Sequence, residues 1–381
     1  MRIALVHPTN WPQVRRGTER FMNEMAGFLA KRGHHAKIIC SKPGRREIHN
    51  DGGFIADYHR SLWQPWMSRA GIHPFHVFPL TTLTALASER FDVAHCFNFT
   101  DAYTASLLRG LTGTRVLLHL AAIPAAAGYR KSVSSGGALF RRAVQVSDTV
   151  ITNGEVQADY FEKRFGTRPT VVKAPVDIER FRPLGSKNLA RPIILSASAL
   201  NERRKGGRFL MRAFNALKEE MPGAELHICG EVSDGVKQEL LALVLPRCRG
   251  EVVFHAPEAA ALEQLYSAAS VLVLPSVWEA FPLVVLEALA CGTPVVGTHD
   301  GGIPELVSTG GIGRTFDPGP LDRAEPTNVE GMVSAIVEAA ALNNLPETSQ
   351  LCRQAASRFD WSVLGPLYEA IYRDLGDIQR Q

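Results

Sequence analysis

The sequence predicts two consecutive doubly wound α/β units, each built on a mostly parallel sheet. Three observations carry this. The chain has 381 residues, too many for one typical domain and enough for two of roughly 150 to 200. Short apolar strands alternate with helical stretches, the pattern of βαβ units. The alternation stops once, over FRPLGSKNLARP (181–192), a linker-like stretch without periodicity that carries Pro, Gly and Ser, and then restarts.

In order along the chain, IALVH (3–7) reads as a strand and TERFMNEMAGFLAKRG (18–33) as a helix with a glycine stop; AKIIC (36–40) is the next strand. DVAHCF (92–97), RVLLHL (115–120), TVIT (149–152) and TVVKAP (170–175) continue the first unit. After the break come PIILSAS (192–198), a helix over about 206–220, ELHICG (225–230), VVFHAP (252–257), VLVLP (271–275) and PVVGT (294–298). The tail RFDWSVLGPLYEAIYRDL (358–375) sets Trp361, Leu364, Leu367, Ile371 and Leu375 at helical spacing and is expected to pack across the units. The predicted organisation is thus 1–182, 192–358 and a C-terminal helix over 359–381. In such sheets ligands gather at the carboxyl ends of strands, near helix N-termini. Two facing sheets would then put the site in a cleft between the units.

Hydrophobic residues at 45% and charged residues at 21% are ordinary globular values and exclude general disorder. The six cysteines are scattered, with no CxxC and no Cys/His cluster, which argues against disulfides and zinc. MRIALVHPTNWP holds too short an apolar run for a signal peptide, and no stretch approaches the ~18 apolar residues of a membrane span. A cytoplasmic protein is expected. The net charge of +4 hides an asymmetry: residues 1–180 hold 24 Lys and Arg against 14 Asp and Glu, and the remainder 18 against 24. A basic half suits an acidic substrate or peripheral contact with the inner face of an anionic membrane; a solvated basic face is the plainer alternative. Nucleic-acid binding is not expected, since no nucleic-acid motif accompanies the charge.

The chemistry concentrates in WEAFPLVVLE (278–287), where two glutamates flank an apolar run. Proline belongs in the first turn of a helix, so a helix is predicted from about Phe281–Pro282 to Cys291–Gly292. Glu279 then precedes the helix and Glu287 lies inside it. Leu283, Val284, Val285, Leu286, Ala288, Leu289 and Ala290 are apolar on every side, which marks a buried helix. A buried carboxylate needs a partner: a protein cation, or a ligand rich in hydroxyl groups. Glu279 sits where free N–H groups also point, a corner suited to a phosphorylated, polyhydroxylated ligand. A buried ion pair would satisfy the same spacing.

The run from PSVWEAFP through E279-AFPLVVL-E287 to ALACGTPVVGTHDGGIPELV resembles the donor-site signature of family 4 retaining glycosyltransferases, which have the GT-B fold. The resemblance extends over nearly all the chain. It implies that Glu287 holds the ribose hydroxyls of a nucleotide sugar. It gives Glu279 the hydroxyls of the transferred sugar, assisted by backbone N–H groups around Phe281, Pro282 and Leu283. In SALNERRKGG (198–207), Lys205 with Arg204 resembles the family's cationic clamp on the diphosphate, although Ala199 stands where a glycine is usual. Whether Arg203 or Arg204 points inward is open at this stage. Gly17, in QVRRGTER (13–20), would allow close approach of a phosphate or acceptor, and Arg15 or Arg16 would meet an anionic acceptor. His119, at the end of a central strand, is implied to orient the transferred sugar and stabilise charge. Gly230 would let the chain pass the diphosphate, and the backbone around His255–Glu258 would hold the base.

The activity implied is transfer of a hexose from an NDP-sugar to an acceptor hydroxyl with retention of configuration. No metal is expected, because there is no Asp-x-Asp at a strand end and two cations can supply the charge. An epimerase of nucleotide sugars is the alternative enzyme class. A nicotinamide dehydrogenase is disfavoured because the first strand–helix turn lacks G-x-G-x-x-G, and a solute-binding protein because no export signal is seen. The acceptor stays open among lipid-linked sugars, polysaccharide ends and small aglycones. YHRSLWQPWMSRAGIHPFHVF (58–78), rich in aromatics, His and Arg, reads equally as an acceptor or membrane loop and as a packed crossover.

Overall fold

The computed structural model describes residues 1–14, 16–121, 127–185, 187–255, 261–307, 310–321 and 324–378. It divides into two compact units, Met1–Ala174 with Trp361–Gln381, and Pro175–Asp360.

The first unit holds β1 (Arg2–Val6), β2 (His35–Lys42), β3 (Glu47–Asp51), β4 (Phe54–Arg60), β5 (Val93–Cys96), β6 (Arg115–Leu120), β7 (Thr149–Thr152) and β8 (Thr170–Val171). They form one sheet in the order β3-β4-β2-β1-β5-β6-β7-β8, parallel throughout except for the antiparallel β3–β4 pair. Strands covered on both faces read as continuous apolar runs, which is why β1, β5 and β6 are legible by eye. The β3–β4 hairpin is not. Its inner strand, FIADYHR, carries Asp57 in mid-strand, and that carboxylate is buried at 1% exposure. It is tolerated because Arg46 donates to both its oxygens, at 2.8 and 2.6 Å, and Lys37 lies 3.1 Å away. The irregular stretch 58–78 begins in β4 and continues through a 3-10 turn at Pro65–Ala70 and a short helix at Pro74–Val77.

The C-terminal helix, Trp361–Ile378, groups with this first unit. Trp361 stacks on Phe21 and Phe28 with centroids 6.0 and 5.4 Å apart, and its indole N–H donates to Glu24 at 3.2 Å. The buried face of the helix is Leu364, Tyr368, Tyr372 and Leu375, whereas Leu367 is 52% exposed. Apolar spacing alone misplaces that face by a fraction of a turn, because two tyrosines with hydroxyl partners occupy it.

One buried acid in this unit has a measurable consequence. Asp101, in the first turn of the helix Phe99–Leu107, is fully buried. Burial outweighs its hydrogen bonds from Thr82 and Asn98 and pushes its carboxyl up to about 7. A folded-state value above the unfolded one favours the protonated form, so stability falls as pH rises from about 4 to about 7. Asp101→Asn is therefore expected to raise the melting temperature more at pH 8 than at pH 5. Equal gains at the two pH values would show that the carboxyl does not titrate this way.

The second unit holds β9 (Ile193–Ser196), β10 (Glu225–Cys229), β11 (Val252–His255), β12 (Val271–Leu274), β13 (Val295–Thr298) and β14 (Gly313–Phe316), all parallel, in the order β11-β10-β9-β12-β13-β14. β14, GRTF, lacks an apolar run, and a side chain on Gly313 would sit 2.0 Å from the Val295 carbonyl. The stretch that reads as a linker is held on this unit. Phe181 meets Tyr266 edge-on at 5.9 Å, the Leu184 amide donates to Ser267 at 2.6 Å, and Lys187 donates to the Gly292 carbonyl at 2.9 Å. Among the described residues no helix is long and apolar enough to cross a membrane.

Candidate active site

In the second unit the predicted helix runs from Leu283 to Ala290, with Pro282 at its N-cap and Cys291 at its C-cap. The ring of Pro282 supplies the turn and removes a donor the helix start does not need; Gly292, at φ +74, ends it. Val285 through Ala290 are buried, and so is Glu287, at 1% exposure. The Tyr266 hydroxyl donates to Glu287 Oε2 at 2.8 Å. One partner of this carboxylate is thus a neutral phenol, reached across 21 residues of sequence.

Glu279 precedes the helix. Lys205 Nζ donates to its Oε1 at 2.5 Å, and Arg204 Nη1 lies 3.5 Å from the same oxygen. Burial alone would raise this carboxyl; Lys205 and Arg204 outweigh it and hold it below the usual carboxylate range. Arg204 also donates to Glu202 at 2.9 Å, whereas Arg203 reaches away to Glu325 at 3.4 Å. Of the two arginines, then, Arg204 is the one beside Glu279. The basic turn Arg203–Lys205 is pinned to the end of β12. The Val277 amide donates to the Arg204 carbonyl at 2.9 Å, and a side chain on Gly206 (φ +71) would meet the Pro275 carbonyl at 2.4 Å.

Further residues, none singled out by sequence reasoning, shape this corner. Trp278 has a left-handed backbone, φ +59, which is strained for a bulky residue. Its amide donates to Asp300 at 2.5 Å, and the Gly302 amide donates to the Glu279 carbonyl at 2.8 Å. A methyl group on Gly302 would lie 2.0 Å from the Ala280 carbonyl. The only advance signal was the DGG run after β13. Gly302→Ala is expected to cost about 1–3 kcal/mol and to lower the melting temperature by several degrees. A calorimetric scan checks this, and an unchanged melt would show that the 300–302 loop does not prop Glu279.

Gly230 has a backbone reason of its own: a side chain there would meet the Ser198 carbonyl at 2.3 Å, where the ends of β9 and β10 meet. Of the segment expected to face a base, His255 lies 3.1 Å from the His227 ring, and residues 256–258 fall outside the described residues.

In the first unit Gly17 is the first residue of the helix Gly17–Lys31, with Arg16 at the N-cap; Arg15 lies outside the described residues. Glu19, in the first turn, is buried and accepts from the Thr9 hydroxyl at 2.7 Å. His119 ends β6 as predicted. His119 is 1% exposed with both ring nitrogens engaged. Nε2 lies 2.8 Å from Asn153 Oδ1 and Nδ1 lies 3.1 Å from His95 Nε2, and the Phe21 ring meets it edge-on at 5.4 Å. Burial pushes its imidazole down to about 4 despite the bond to Asn153, so it is neutral near pH 7.

Two family descriptions match the chain, Glycosyltransferase Family 4 over residues 15–180 and Glycosyl transferases group 1 over residues 191–341. The chain belongs to glycosyltransferase family 4. This family 4 glycosyltransferase is 29% identical over 255 residues to D-inositol 3-phosphate glycosyltransferase of Saccharomonospora viridis, a match covering 61% of this chain and 57% of that one. It therefore spans little more than half the length of that relative. Its structure is similar to sucrose-phosphate synthase from Thermosynechococcus elongatus, with a TM-score of 0.80 at 19% identity over 98% of both chains. It is also similar to HepE of Anabaena in complex with UDP-glucose, with a TM-score of 0.70 at 17% identity over 97% of this chain and 99% of that one. These likenesses show the fold, which is GT-B, as the sequence predicts.

Proposed function

We propose that this glycosyltransferase moves a hexose from a nucleotide sugar to an acceptor hydroxyl with retention of anomeric configuration. The observation that carries the reading is the Lys205–Glu279–Arg204 cluster at the start of the helix that buries Glu287. Lys205 and Arg204 take the diphosphate and stabilise the charge that develops as it leaves. Glu279 then binds hydroxyls of the transferred sugar, with backbone N–H groups around Phe281, Pro282 and Leu283, and Glu287 binds the ribose. Gly230 and Gly17 give close backbone approach to phosphate or acceptor, and His119 orients the sugar. In the reaction the bond from C1 to the diphosphate oxygen breaks, the acceptor oxygen bonds to C1, and the acceptor proton passes to the departing diphosphate. No metal is assigned a role, since the two cations supply the charge.

UDP-glucose, which the Anabaena protein binds, is the first donor to try. The acceptor set comprises lipid-linked sugars, polysaccharide ends, small aglycones and inositol phosphate, the last suggested by the name of the Saccharomonospora relative. The basic first half suits an anionic acceptor or the inner membrane surface. Transfer is favoured over epimerisation because both matching family descriptions are of glycosyltransferases. Incubating the protein with NDP-sugars and each acceptor class, with products read by mass spectrometry and anomeric couplings, tests the reading. Sugar attached in the donor's own configuration supports it, and an inverted linkage removes retention. A new sugar nucleotide formed without acceptor makes the protein an epimerase. A labelled soluble glycoside with no labelled lipid removes the membrane part.

A further inference from the structure

We propose that one face of the first unit docks on an anionic lipid bilayer: the loop 61–72 together with the outer side of the helix Pro79–Ser88. This rests on the membrane part of the proposed function and gives it a place in the fold. The helix is turned with its leucines outward. Leu80 is 58% exposed, and Leu83 and Ala87 are exposed with it, whereas Thr81 and Thr82 are buried beside Ala85 and Leu86. A surface helix in water has the opposite arrangement. Its roll is fixed from within, because the Thr82 hydroxyl donates to the buried Asp101 at 2.8 Å. Turning the leucines inward would break that bond and leave the buried carboxyl without this donor. The outer hydroxyls are used up inside the helix: Thr84 donates to the Thr81 carbonyl at 3.0 Å and Ser88 to that of Ala85 at 2.9 Å. What this face offers to its surroundings is therefore mostly hydrocarbon.

The loop 61–72 is closed on itself. The Trp63 indole N–H donates to the Ile72 carbonyl at 2.8 Å, and the Ile72 amide to the Met67 carbonyl at 3.0 Å. Leu62, Trp66 and Ile72 are exposed on it. Trp66, at 63%, is the one aromatic among the exposed large apolar side chains of the described residues. Tryptophan is ordinarily mostly buried, and it is at home where one end of the ring is apolar and the other wet. Between Ile72 and Phe78 lies only the helix Pro74–Val77, about 6 Å long, so loop and leucine face form one patch. The charge of the patch has one sign. From Tyr58 to Ser88 the chain holds no Asp or Glu, while Arg60 and Arg69 are exposed, and among the described residues neither is paired with an acid. Glu47, on the neighbouring hairpin, is taken up by Lys42. Exposed leucines and a tryptophan with unpaired arginines fit an anionic headgroup layer, where the guanidinium groups meet phosphates and the apolar side chains enter the acyl boundary. The loop leaves the sheet at the carboxyl ends of β2 and β4, where the Ser61 amide donates to the Lys42 carbonyl at 2.8 Å. Ligands of such sheets gather at those ends, which is the side a lipid-borne acceptor would enter.

The test is sedimentation of the full-length protein with vesicles of phosphatidylglycerol and phosphatidylcholine in equal parts, against vesicles of phosphatidylcholine alone. The wild type is expected to bind the mixed vesicles about ten-fold more tightly or better. Arg69→Ala should weaken that binding about five-fold, the scale for one basic residue at an anionic surface, and the loss should shrink at high salt. Trp66→Ala, and separately the pair Leu80→Ser with Leu83→Ser, should each weaken it about ten-fold, at low and high salt alike. All these side chains are exposed, so the melting temperature should stay at the wild-type value. Trp66→Ala carries the test if the leucine pair does not fold. No binding to the mixed vesicles would overturn the proposal, and so would wild-type binding in Trp66→Ala. A dimer, read by light scattering, that Trp66→Ala dissociates would overturn it as well, since the face would then belong to a second copy of the chain. The vesicles carry neither donor nor acceptor, which separates this outcome from glycosyl transfer. Binding that depends on Trp66, with no sugar ever found on lipid, would keep the docking face and remove only the lipid acceptor.

Discussion

Lys205→Met is expected to lower turnover by about 100- to 1000-fold, the scale for losing one fixed charge-stabilising group at a reacting centre. Lys205 is bonded to Glu279 at 2.5 Å, with Arg204 at 3.5 Å from the same oxygen. Removing the lysine therefore takes away one of two cations from the diphosphate position and frees Glu279 from its shorter contact. The fold should survive, because Arg204 still faces the carboxylate and the turn is pinned by backbone, through Val277 and Gly206. The pH dependence has a definite sign. Glu279 is held below the usual carboxylate range, so its stabilising contribution is present above the unfolded value near 4.5 and is lost as pH falls through the folded value. In Lys205→Met that contribution shrinks, and acid unfolding should begin at a higher pH than in the wild type. Steady-state rates and an acid titration of the fold check the two parts separately. Wild-type turnover would take Lys205 out of the site, and a variant that fails to fold at neutral pH would make it a structural partner of Glu279.

What was legible in the sequence, and what was not, follows from the range of the forces involved. Pro282 and Gly292 set the ends of the Glu287 helix by local backbone preference, so those boundaries could be read directly. The continuous apolar strands β1, β5, β6, β12 and β13 were equally plain. β4 was hidden because Asp57 interrupts its pattern, and only a three-dimensional ring of cations makes that acid tolerable. The partners of the site acids were hidden for a related reason. Nothing local links Tyr266 to Glu287, or Asp300 to the strained backbone of Trp278, since each pair meets only through strand order. Arg204 could be told from Arg203 only once Glu279 and Glu325 had positions in space. His95 stands in DVAHCF with nothing beside it to mark it; the parallel register of β5 and β6 makes it a neighbour of His119.

Glu287→Gln separates a ligand-binding carboxylate from a merely structural one. The two side chains have nearly the same shape, and the amide oxygen of glutamine can still accept from the Tyr266 hydroxyl, now 2.8 Å from Glu287 Oε2. Packing around the helix Leu283–Ala290 is then preserved, and the melting temperature should move by only a few degrees. What disappears is the negative charge. Hydrogen bonds to a charged group contribute about 1.5–3 kcal/mol against 0.5–1.5 for a neutral one, so replacing one with the other at a ribose should weaken nucleotide binding about ten-fold. Titration of UDP binding by calorimetry reads this without any knowledge of the acceptor. Glu287→Ala should behave differently, because it opens a cavity and leaves the buried Tyr266 hydroxyl without this acceptor, at a cost of about 2–4 kcal/mol in stability. If Glu287→Gln instead unfolds as Glu287→Ala does, the buried charge is held by the protein for its own sake. If it melts and binds UDP as the wild type does, Glu287 has no place at the ribose. Weakened binding on an intact fold is the outcome that joins the two ends of WEAFPLVVLE in one ligand: Glu279 outside the helix at the sugar, and Glu287 inside it at the nucleoside.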